Sequence, residues 1–389
     1  MKITFISNYI NHHQIPLANE LYSSMGDNYH FIQTEPMEED RVKMGWGKEV
    51  KDIPYLLHFY EEPEKCKKLL LESDVVVCGG IEDESYIQPR LQKDLFTIRC
   101  SERIYKTGQW KMISPRGLIK KYHDHIRYRN KDVYLLCAGG YVADDFRLIY
   151  AYPNKMMKWG YFVENYKYDI DELFAKKNSK DETVILWVGR MLKLKHPEYA
   201  VYMASELIKQ GKKFKLKFIG DGEEKQKVEE LVQRFKLQDS VEFMNFMSPQ
   251  EVRQEMEMAD ILLMTSNRIE GWGAVVNEAM NAGCVVVASH IVGSVPYLIQ
   301  HKTNGLVFKS GSYISLTKQV LNVIDDKDYR KSLGTEAYRT ISELWNAGVA
   351  AKRFVEFCNT RDVNRYKDGP CSKAVPVREI CMYHKMVKR

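Results

Sequence analysis

The sequence of 389 residues lacks several patterns that are typical of other protein classes. No apolar run approaches the ~18 residues that cross a bilayer, and the first residues are polar too early to predict a signal peptide. The eight cysteines include no C-x-x-C pair or zinc spacing, and no basic recognition helix is evident. No G-x-G-x-x-G follows the first predicted strand, which disfavours a nicotinamide dehydrogenase. We therefore expect a cytoplasmic protein with reduced thiols, without a nucleic-acid partner.

Charge is unevenly distributed along the chain, whose formal net charge is +6. The segment from Lys111 to Lys131 contains seven Lys and Arg residues against Asp124 alone, and a second basic cluster runs from Arg361 to Arg389. Such local charge fits an anionic surface, for example a phospholipid or a lipid pyrophosphate. The length exceeds one typical hydrophobic core, so two domains are expected.

Short apolar runs alternate with helical patterns in two successive series, separated by a polar linker at about residues 164–182. The first series has predicted strands at Ile3–Ser7, Tyr29–Gln33, Val75–Cys78, Leu95–Arg99, Val133–Cys137 and Met157–Phe162. The second has them at Val184–Val188, Lys215–Ile219, Val241–Phe243, Ile261–Met264, Val285–Ala288 and Gly305–Phe308. Two strand–helix series predict an α/β protein with two doubly wound parallel sheets. Because such sheets bind ligands at the carboxyl ends of their strands, we expect the active site in a cleft between the two domains.

The segment from Ala259 to Ser289 carries the most specific chemistry. It reads as a buried strand, a glycine-bearing turn, a helix and a second buried strand, with Glu270 before the turn and Glu278 in the helix. Gly271 and Gly273 allow close approach of the backbone to a ligand, and the free amides at the helix start favour an anion. A ligand with a central phosphate and hydroxyls at both ends fits this arrangement, and nucleotide sugars have that form.

These residues resemble the E-x7-E signature of retaining glycosyltransferases of family four, usually written EGFGLxxLEAMAxGxPVVA. Glu270 and Glu278 have the required spacing. The departures are Trp272 for phenylalanine, Asn277 for an aliphatic residue and Cys284 for proline. The alternative interpretation is an ordinary strand–helix–strand unit with a solvated glutamate.

The resemblance implies a GT-B fold built from two Rossmann-like domains. Residues 1–165 would form the acceptor-binding domain and residues 166–344 the nucleotide-sugar-binding domain. In that fold the last helices usually cross back, so residues 345–389 are expected to pack on the first domain. Trp345–Cys358 is the candidate crossing helix.

The resemblance also assigns roles around the turn. Glu278 would hold the ribose, Glu270 the donor-sugar hydroxyls beside the anomeric carbon, and the turn amides the phosphate. The predicted donor contacts in this segment are Glu270, Gly271, Trp272, Gly273, Ala274, Val275 and Glu278.

A second segment resembles the family's diphosphate-binding VGRxxxxKG motif. It contains Gly189, Arg190 and Lys195, with His196 in place of the usual glycine. Cations are needed there because cleavage of the sugar–phosphate bond leaves charge on the diphosphate. The alternative is a solvated basic loop.

Two further turns resemble parts of the nucleotide site in this family. Gly220, in the turn Ile219-Gly220-Asp221-Gly222, corresponds to a turn near the nucleotide. Asn245, Phe246 and Met247 correspond to the loop that lines the base. A Gly-Asp-Gly turn also often simply ends a strand.

In the first half, a polar loop with His12 and His13 stands where the family often has a glycine-rich loop. This departure makes backbone contacts to the donor phosphate from that loop doubtful. The two histidines are candidates for a hydrogen bond to the acceptor or the diphosphate, and the alternative is that they only neighbour a helix start.

Ser101 and Glu102 follow a later strand, where relatives place acceptor-binding and catalytic polar groups. Glu102 is a candidate for orienting or deprotonating the acceptor hydroxyl. A salt bridge to Arg103 or Lys106 is the alternative.

An apolar stripe follows the capped helix start Ser114-Pro115, within the basic segment Lys111–Lys131. Its members are Leu118, Ile119, Tyr122 and Ile126. The pattern is consistent with a helix lying on an anionic membrane surface. The alternative is a stripe that faces the core between solvated charges.

The resemblance therefore predicts a retaining glycosyltransferase that moves a sugar from a nucleoside diphosphate sugar to a hydroxyl of a glycan or lipid-linked acceptor. The expected setting is polysaccharide or surface-glycan biosynthesis in the cytoplasm, including the inner face of the membrane. Glu270, Arg190, Lys195 and Glu102 are the predicted catalytic residues, and no metal or other cofactor is expected. A nucleotide-sugar 2-epimerase of the same fold and a catalytically inactive binding subunit are the alternatives.

Overall fold

In the computed structural model, residues 1–37, 53–244 and 247–387 are described. The chain divides into two compact units. The first comprises residues 1–164 and 345–377, and the second comprises residues 165–344 and the chain from Arg378 onward. Among the described residues, no helix has the length and apolar character needed to cross a bilayer.

The described part of the first unit has one sheet of seven parallel strands in the order β3-β2-β1-β4-β5-β6-β7. The strands are β1 (Ile3–Ser7), β2 (Tyr29–Gln33), β3 (Leu56–His58), β4 (Val75–Gly79), β5 (Thr97–Ser101), β6 (Val133–Ala138) and β7 (Met156–Trp159). Strand β4, at the centre, is buried at four of its five positions, as expected when both faces of a parallel sheet are covered.

The described part of the second unit has one sheet of six parallel strands in the order β10-β9-β8-β11-β12-β13. The strands are β8 (Thr183–Val188), β9 (Phe214–Ile219), β10 (Val241–Met244), β11 (Ile261–Met264), β12 (Val285–Ser289) and β13 (Leu306–Phe308). All five residues of β12 are buried, as the valine-rich sequence VVVAS predicts.

Helices connect the strands in both units. In chain order they are α1 (Ile15–Met25), α2 (Pro63–Glu72), α3 (Gln88–Gln92), α4 (Pro115–Asp124), α5 (Val142–Leu148), α6 (Ile170–Asn178), α7 (Glu198–Lys209), α8 (Lys225–Arg234), α9 (Pro249–Met258), α10 (Val275–Asn281), α11 (Val295–Leu298), α12 (Tyr313–Leu321), α13 (Lys327–Arg339), α14 (Ala347–Thr360) and α15 (Glu379–Val387). Short 3-10 segments lie at Gly26–Asn28, Glu84–Tyr86, Gln109–Ile113, Ile126–Tyr128 and Lys193–Lys195, and a π-helical turn at Thr340–Leu344.

The two sheets confirm the predicted fold class. In the first sheet the strand order reverses between β1 and β4, and in the second between β8 and β11. Loops that leave the carboxyl ends of strands diverge at such a point, and doubly wound proteins bind ligands in the resulting crevice. Each unit therefore has one place where a ligand site is expected.

The prediction that residues 345–389 pack on the first unit was wrong for the last residues. Helix α14 does pack there, since the Phe354 ring lies 5.6 Å from Phe5 and 5.7 Å from Trp159, measured between ring centroids. Helix α15 instead belongs to the second unit, where Glu379 forms an ion pair with Arg268. Local sequence patterns do not carry this contact between residues distant in the chain.

Candidate functional site

Two glycines bring the loops after β8 and β9 into contact in the second unit. Gly189 and Gly220 have φ values of +149° and +124°, which favour glycine. A Cβ on Gly220 would lie 2.2 Å from the carbonyl oxygen of Gly189. No larger residue fits at Gly220 without moving the backbone that carries Arg190.

An ion pair connects two of the predicted site residues. The Lys195 Nζ lies 2.7 Å from Glu270 Oε2, and Ser266 Oγ donates to the same oxygen at 3.0 Å. Both charged side chains are mostly buried, at 18% and 16% exposure. The Thr265 hydroxyl donates to the Lys195 carbonyl oxygen at 2.5 Å, so backbone and side-chain contacts both join the two loops. The structure thus brings together the motif after β8 and the motif after β11.

Arg190 differs from Lys195 in its surroundings. Its side chain is exposed and makes no hydrogen bond or ion pair within the described part of the chain. Of the two motif cations after β8, Lys195 is therefore held by a carboxylate, whereas Arg190 is open to an anionic ligand.

The glycine-bearing turn before α10 leaves backbone donors open. Gly273 has a φ of +81°, and a Cβ there would lie 2.6 Å from Met264 Cε. Within the described residues, the amides of Gly273, Ala274 and Val275 donate no hydrogen bond. Unpaired amides at a helix start are suited to an anion such as phosphate.

Two of the departures from the signature compensate each other. Trp272 is 1% exposed, and its Nε1 donates to Asn277 Oδ1 at 2.8 Å. A phenylalanine and an aliphatic residue would pack here without polar atoms, whereas tryptophan and asparagine satisfy one another. Since the Trp272 side chain is buried, only its backbone is available for the predicted donor contact.

The third departure is explained by the end of α10. Gly283 has a φ of +68° and donates to the Met280 carbonyl at 3.0 Å, while the Cys284 amide donates to the Ala279 carbonyl at 2.9 Å. This is a Schellman cap. A proline at position 284 would lack the second donor, so cysteine adds a hydrogen bond at this position.

Glu278 lies in the first turn of α10 and is half-buried. Its carboxylate accepts no hydrogen bond from the described residues. Burial raises the pKa of this carboxyl, and the nearby Arg253 guanidinium opposes the shift. A desolvated carboxylate without a hydrogen-bond donor among the described residues is suited to ligand hydroxyls, and the ribose contact stays a prediction.

The sequence analysis did not identify the residues that bind the backbone of α10 at Glu278 and Asn281. Arg253, on α9, donates to the Glu278 carbonyl at 2.6 Å and also to the buried Asn281 side chain. The Arg253 guanidinium lies 4.3 Å from the centroid of the Tyr166 ring, whose amide donates to Asn281 Oδ1 at 2.9 Å. The sequence offered one signal for this support, namely Asn281 at the end of an apolar helix. A buried side-chain amide needs hydrogen-bond partners, so polar residues around it could have been expected.

The predicted base-lining loop is only partly described. Asn245 and Phe246 lie outside the described residues, and Met247 is half-buried. Ser248 and Glu251 form a capping box at the start of α9, so part of this segment is explained by helix capping.

The first unit has a cavity of about 750 Å³ at the carboxyl ends of β1, β4 and β5. Its lining includes three of the predicted residues, His13, Ser101 and Glu102. The charged lining comes mainly from the loops after β4 and β5 and from α4, and it includes Glu84, Arg99, Lys106, Lys120, Lys121 and Asp124.

Glu102 forms a salt bridge with Lys106, one of the two partners that the sequence analysis gave as the alternative to a catalytic role. Lys106 Nζ lies 2.5 Å from Glu102 Oε2, and the Tyr161 hydroxyl donates to the other oxygen at 2.7 Å. Arg103 forms an ion pair with the buried Asp145 at 3.1 Å. Glu102 is thus both ion-paired and part of the cavity wall.

His12 and His13 lie together, with ring centroids 3.7 Å apart. Burial lowers the pKa of His12 to about 4 and that of His13 to about 3, the latter with a contribution from His12. Both rings are therefore neutral near pH 7. The Ser101 hydroxyl donates to the Glu102 carbonyl at 2.7 Å.

No group of three or more His, Cys, Asp or Glu side chains that could hold a metal ion occurs in residues 1–37, 53–244 or 247–387.

The raised pKa of Glu278 predicts how stability depends on pH. The folded state binds this proton more tightly than the unfolded chain, so the contribution to stability is lost as pH rises through the folded pKa. We expect Glu278→Gln to melt above the parent protein at about pH 8, with the difference closing as pH falls towards ~4.

Thermal unfolding followed by circular dichroism at both pH values tests this expectation. The exposed Glu182→Gln is the matched control and should change little at either pH. A variant that melts below the parent protein at the higher pH would contradict the stated surroundings of Glu278.

The second unit is similar in sequence to known glycosyltransferases. Residues 169–340, within the second unit, match the family described as "Glycosyl transferases group 1". N-acetyl-alpha-D-glucosaminyl L-malate synthase from Bacillus anthracis is 25% identical over 200 residues, covering 50% of this chain and 51% of that protein. Alpha-D-kanosaminyltransferase from Streptomyces kanamyceticus is 28% identical over 166 residues, which cover 43% of this chain and 42% of that protein.

A third relative is the amylovoran biosynthesis glycosyltransferase AmsD from Erwinia amylovora. It is 25% identical over 187 residues, which cover 46% of this chain and 48% of that protein. The matched segments thus span about half the length of these curated relatives.

Solved structures match over most of the chain. HepE from Anabaena in complex with UDP superposes with a TM-score of 0.70 at 15% identity, covering 92% of this chain and all of that chain. Sucrose-phosphate synthase from Thermosynechococcus elongatus gives a TM-score of 0.65 at 16% identity, covering 93% and 99%. The chain therefore has the GT-B fold, and its second unit is similar in sequence to glycosyl transferases group 1.

Proposed function

We propose that this protein is a retaining glycosyltransferase that transfers a sugar from a nucleoside diphosphate sugar to a hydroxyl of a glycan or lipid-linked acceptor. The observation that carries the proposal is the Lys195–Glu270 ion pair. It joins the two loops at the reversal point of the second sheet, where Arg190 and the open amides of the turn before α10 also lie. Cations, a carboxylate and backbone donors are the groups that a diphosphate linked to a sugar requires.

Each part of the donor has a proposed partner. Arg190, Lys195 and the amides of Gly273 and Ala274 would bind the diphosphate, and Glu278 would accept the ribose hydroxyls. Glu270 would accept hydroxyls of the donor sugar when Lys195 turns towards phosphate. Because structures of HepE contain UDP, UDP with glucose, or UDP-glucose, a uridine donor is the first to test.

The acceptor would bind in the first unit, in the cavity that Glu102 lines. The Glu102 carboxylate accepts hydrogen bonds from Tyr161 and Lys106, and these two contacts fix its orientation at the cavity. A fixed carboxylate can accept a hydrogen bond from an acceptor hydroxyl and orient it. The neutral His12 and His13 would add hydrogen bonds without adding charge.

In the proposed reaction the acceptor oxygen bonds to the anomeric carbon on the face from which the diphosphate leaves. The bond between that carbon and the phosphate oxygen breaks, and the acceptor proton passes to the leaving phosphate. Arg190 and Lys195 stabilise the charge that develops there. Proton NMR of the product tests retention, and an inverted anomeric centre would contradict it.

We place the reaction in polysaccharide or surface-glycan biosynthesis, for which the named role of the Erwinia relative is the support. The reaction as proposed needs no metal ion, because the cations of the site are Arg190 and Lys195.

The two cations predict a turnover defect. Arg190→Ala and Lys195→Ala should each lower turnover more than about tenfold, because loss of one charge-assisted contact to a developing charge costs on the order of 2–4 kcal/mol. Turnover is measured as acceptor-dependent release of nucleoside diphosphate, which also distinguishes transfer from 2-epimerisation.

Lys193→Ala is the matched control, since Lys193 is an exposed lysine of the same loop. Unchanged melting temperatures show that the variants fold. Near-normal turnover in both Arg190→Ala and Lys195→Ala would refute the assigned diphosphate site.

The two glutamates should affect different kinetic constants. Glu278→Gln should mainly raise the donor KM, because a ribose contact is similar in the ground and transition states. Glu270→Gln should mainly lower kcat, because positive charge builds at the neighbouring anomeric carbon as the bond stretches.

Steady-state kinetics with varied donor, together with donor affinity by calorimetry, separate the two effects. If Glu278→Gln lowers kcat and Glu270→Gln raises KM, the donor is bound in the opposite orientation. If neither variant changes either constant, the E-x7-E assignment is wrong.

A further inference from the structure

The helix α4 and the 3-10 segment before it expose a large apolar surface. None of the side chains of α4 is buried. Five large hydrophobic side chains stand out within thirteen positions, and we call them the apolar face: Trp110 (69% exposed), Ile113 (74%), Leu118 (41%), Ile119 (60%) and Tyr122 (52%). The described chain has fourteen exposed large hydrophobic residues, so more than a third of them are concentrated here.

The structure decides between the two sequence interpretations of this stripe. Ile126, at its end, packs against the core of the first unit, as a core-facing stripe would. Leu118, Ile119 and Tyr122 do not, and each exposes at least 41% of its surface. The stripe is therefore mainly a surface feature.

The charge around the apolar face is predominantly positive. Lys111, Arg116 and Lys120 are exposed beside it, and the single acid of the 111–131 segment, Asp124, is paired with Lys120 at 3.2 Å. Basic residues around exposed tryptophan, tyrosine and aliphatic side chains are typical of a helix that lies in the interface of an anionic bilayer. An acidic protein partner would match the charge, but it would not by itself account for the aromatic and aliphatic protrusions.

The same helix forms part of the cavity in the first unit. Lys120, Lys121 and Asp124, all on α4, line that cavity together with Glu102. A bilayer seated on the apolar face would therefore lie beside the cavity. A soluble acceptor would not need this arrangement, whereas an acceptor attached to a membrane lipid would reach the cavity from that surface.

We propose that the apolar face docks the protein on an anionic lipid bilayer, and that the adjacent cavity receives a lipid-linked acceptor from it. The second statement rests on the proposed function, whereas docking on the bilayer does not.

Vesicle co-sedimentation of the full chain tests docking. We expect binding to vesicles of phosphatidylcholine with phosphatidylglycerol, weak binding to phosphatidylcholine alone, and binding that weakens as salt rises. Combined replacement of Trp110, Ile113 and Ile119 by serine should weaken binding to the anionic vesicles by at least about tenfold. Lys111→Glu combined with Arg116→Glu should weaken binding and reduce its salt dependence.

Ile314→Ser is the matched control, because Ile314 is 68% exposed in the second unit. It should bind vesicles like the parent protein. The docking proposal is overturned if the parent protein does not bind anionic vesicles, or if the triple serine variant binds them equally well. It is also overturned if the parent protein self-associates through this face and the triple serine variant abolishes that association instead.

Donor binding and turnover with a soluble acceptor analogue, measured on the same proteins, separate this inference from the proposed function. The triple serine variant should retain donor binding and turnover with the soluble acceptor analogue. It should lose turnover only when the acceptor is embedded in vesicles. Vesicle binding without turnover for any donor would refute the proposed function and leave docking intact. Turnover in a parent protein that ignores vesicles would refute the docking surface and leave the proposed function intact.

Discussion

The ion pair between Lys195 and Glu270 is the interaction on which the candidate donor site depends. It holds together two loops whose sequences are 75 residues apart, and both charged groups are mostly buried. A desolvated pair of this kind persists only when further contacts satisfy it, and here the Ser266 hydroxyl donates to the Glu270 carboxylate. The Thr265 hydroxyl holds the Lys195 backbone by donating to its carbonyl oxygen. A diphosphate would compete with Glu270 for Lys195. In our account, donor binding therefore frees the carboxylate for the donor sugar.

The rest of the site is organised for binding at some expense of stability. Glu278 is desolvated without a hydrogen-bond donor from the described residues, and the amides at the start of α10 are open. Such groups cost free energy in the unliganded protein and are therefore uncommon outside functional sites. Arg253 and Asn281 form the opposite kind of feature, a buried hydrogen-bonded pair that holds α10 on the side away from the ligand. A preorganised site is expected to combine unpaired ligand-binding groups, here Glu278 and the amides at the start of α10, with hydrogen-bonded supporting residues, here Arg253 and Asn281.

Much of this arrangement could be predicted from the sequence, because buried parallel strands and glycine turns leave local patterns. Strand β11 and helix α10 agree closely with prediction. Strand β3 was missed because it is only three residues long and half-buried. The position of α15, the pairing of Glu102 with Lys106 and the role of Arg253 depend on contacts between residues that local patterns do not relate. The compensation between Trp272 and Asn277 was visible only as two unexplained departures until the structure placed them at hydrogen-bond distance.

The central claim is that the second unit binds a nucleoside diphosphate through Arg190, Lys195 and the turn before α10. Isothermal titration calorimetry with UDP and other nucleoside diphosphates, with and without EDTA, tests it most directly. We expect at least one nucleoside diphosphate to bind saturably and one-to-one, with an affinity that EDTA does not change. Absence of binding by every nucleoside diphosphate, or binding that EDTA abolishes and Mg²⁺ restores, would contradict it.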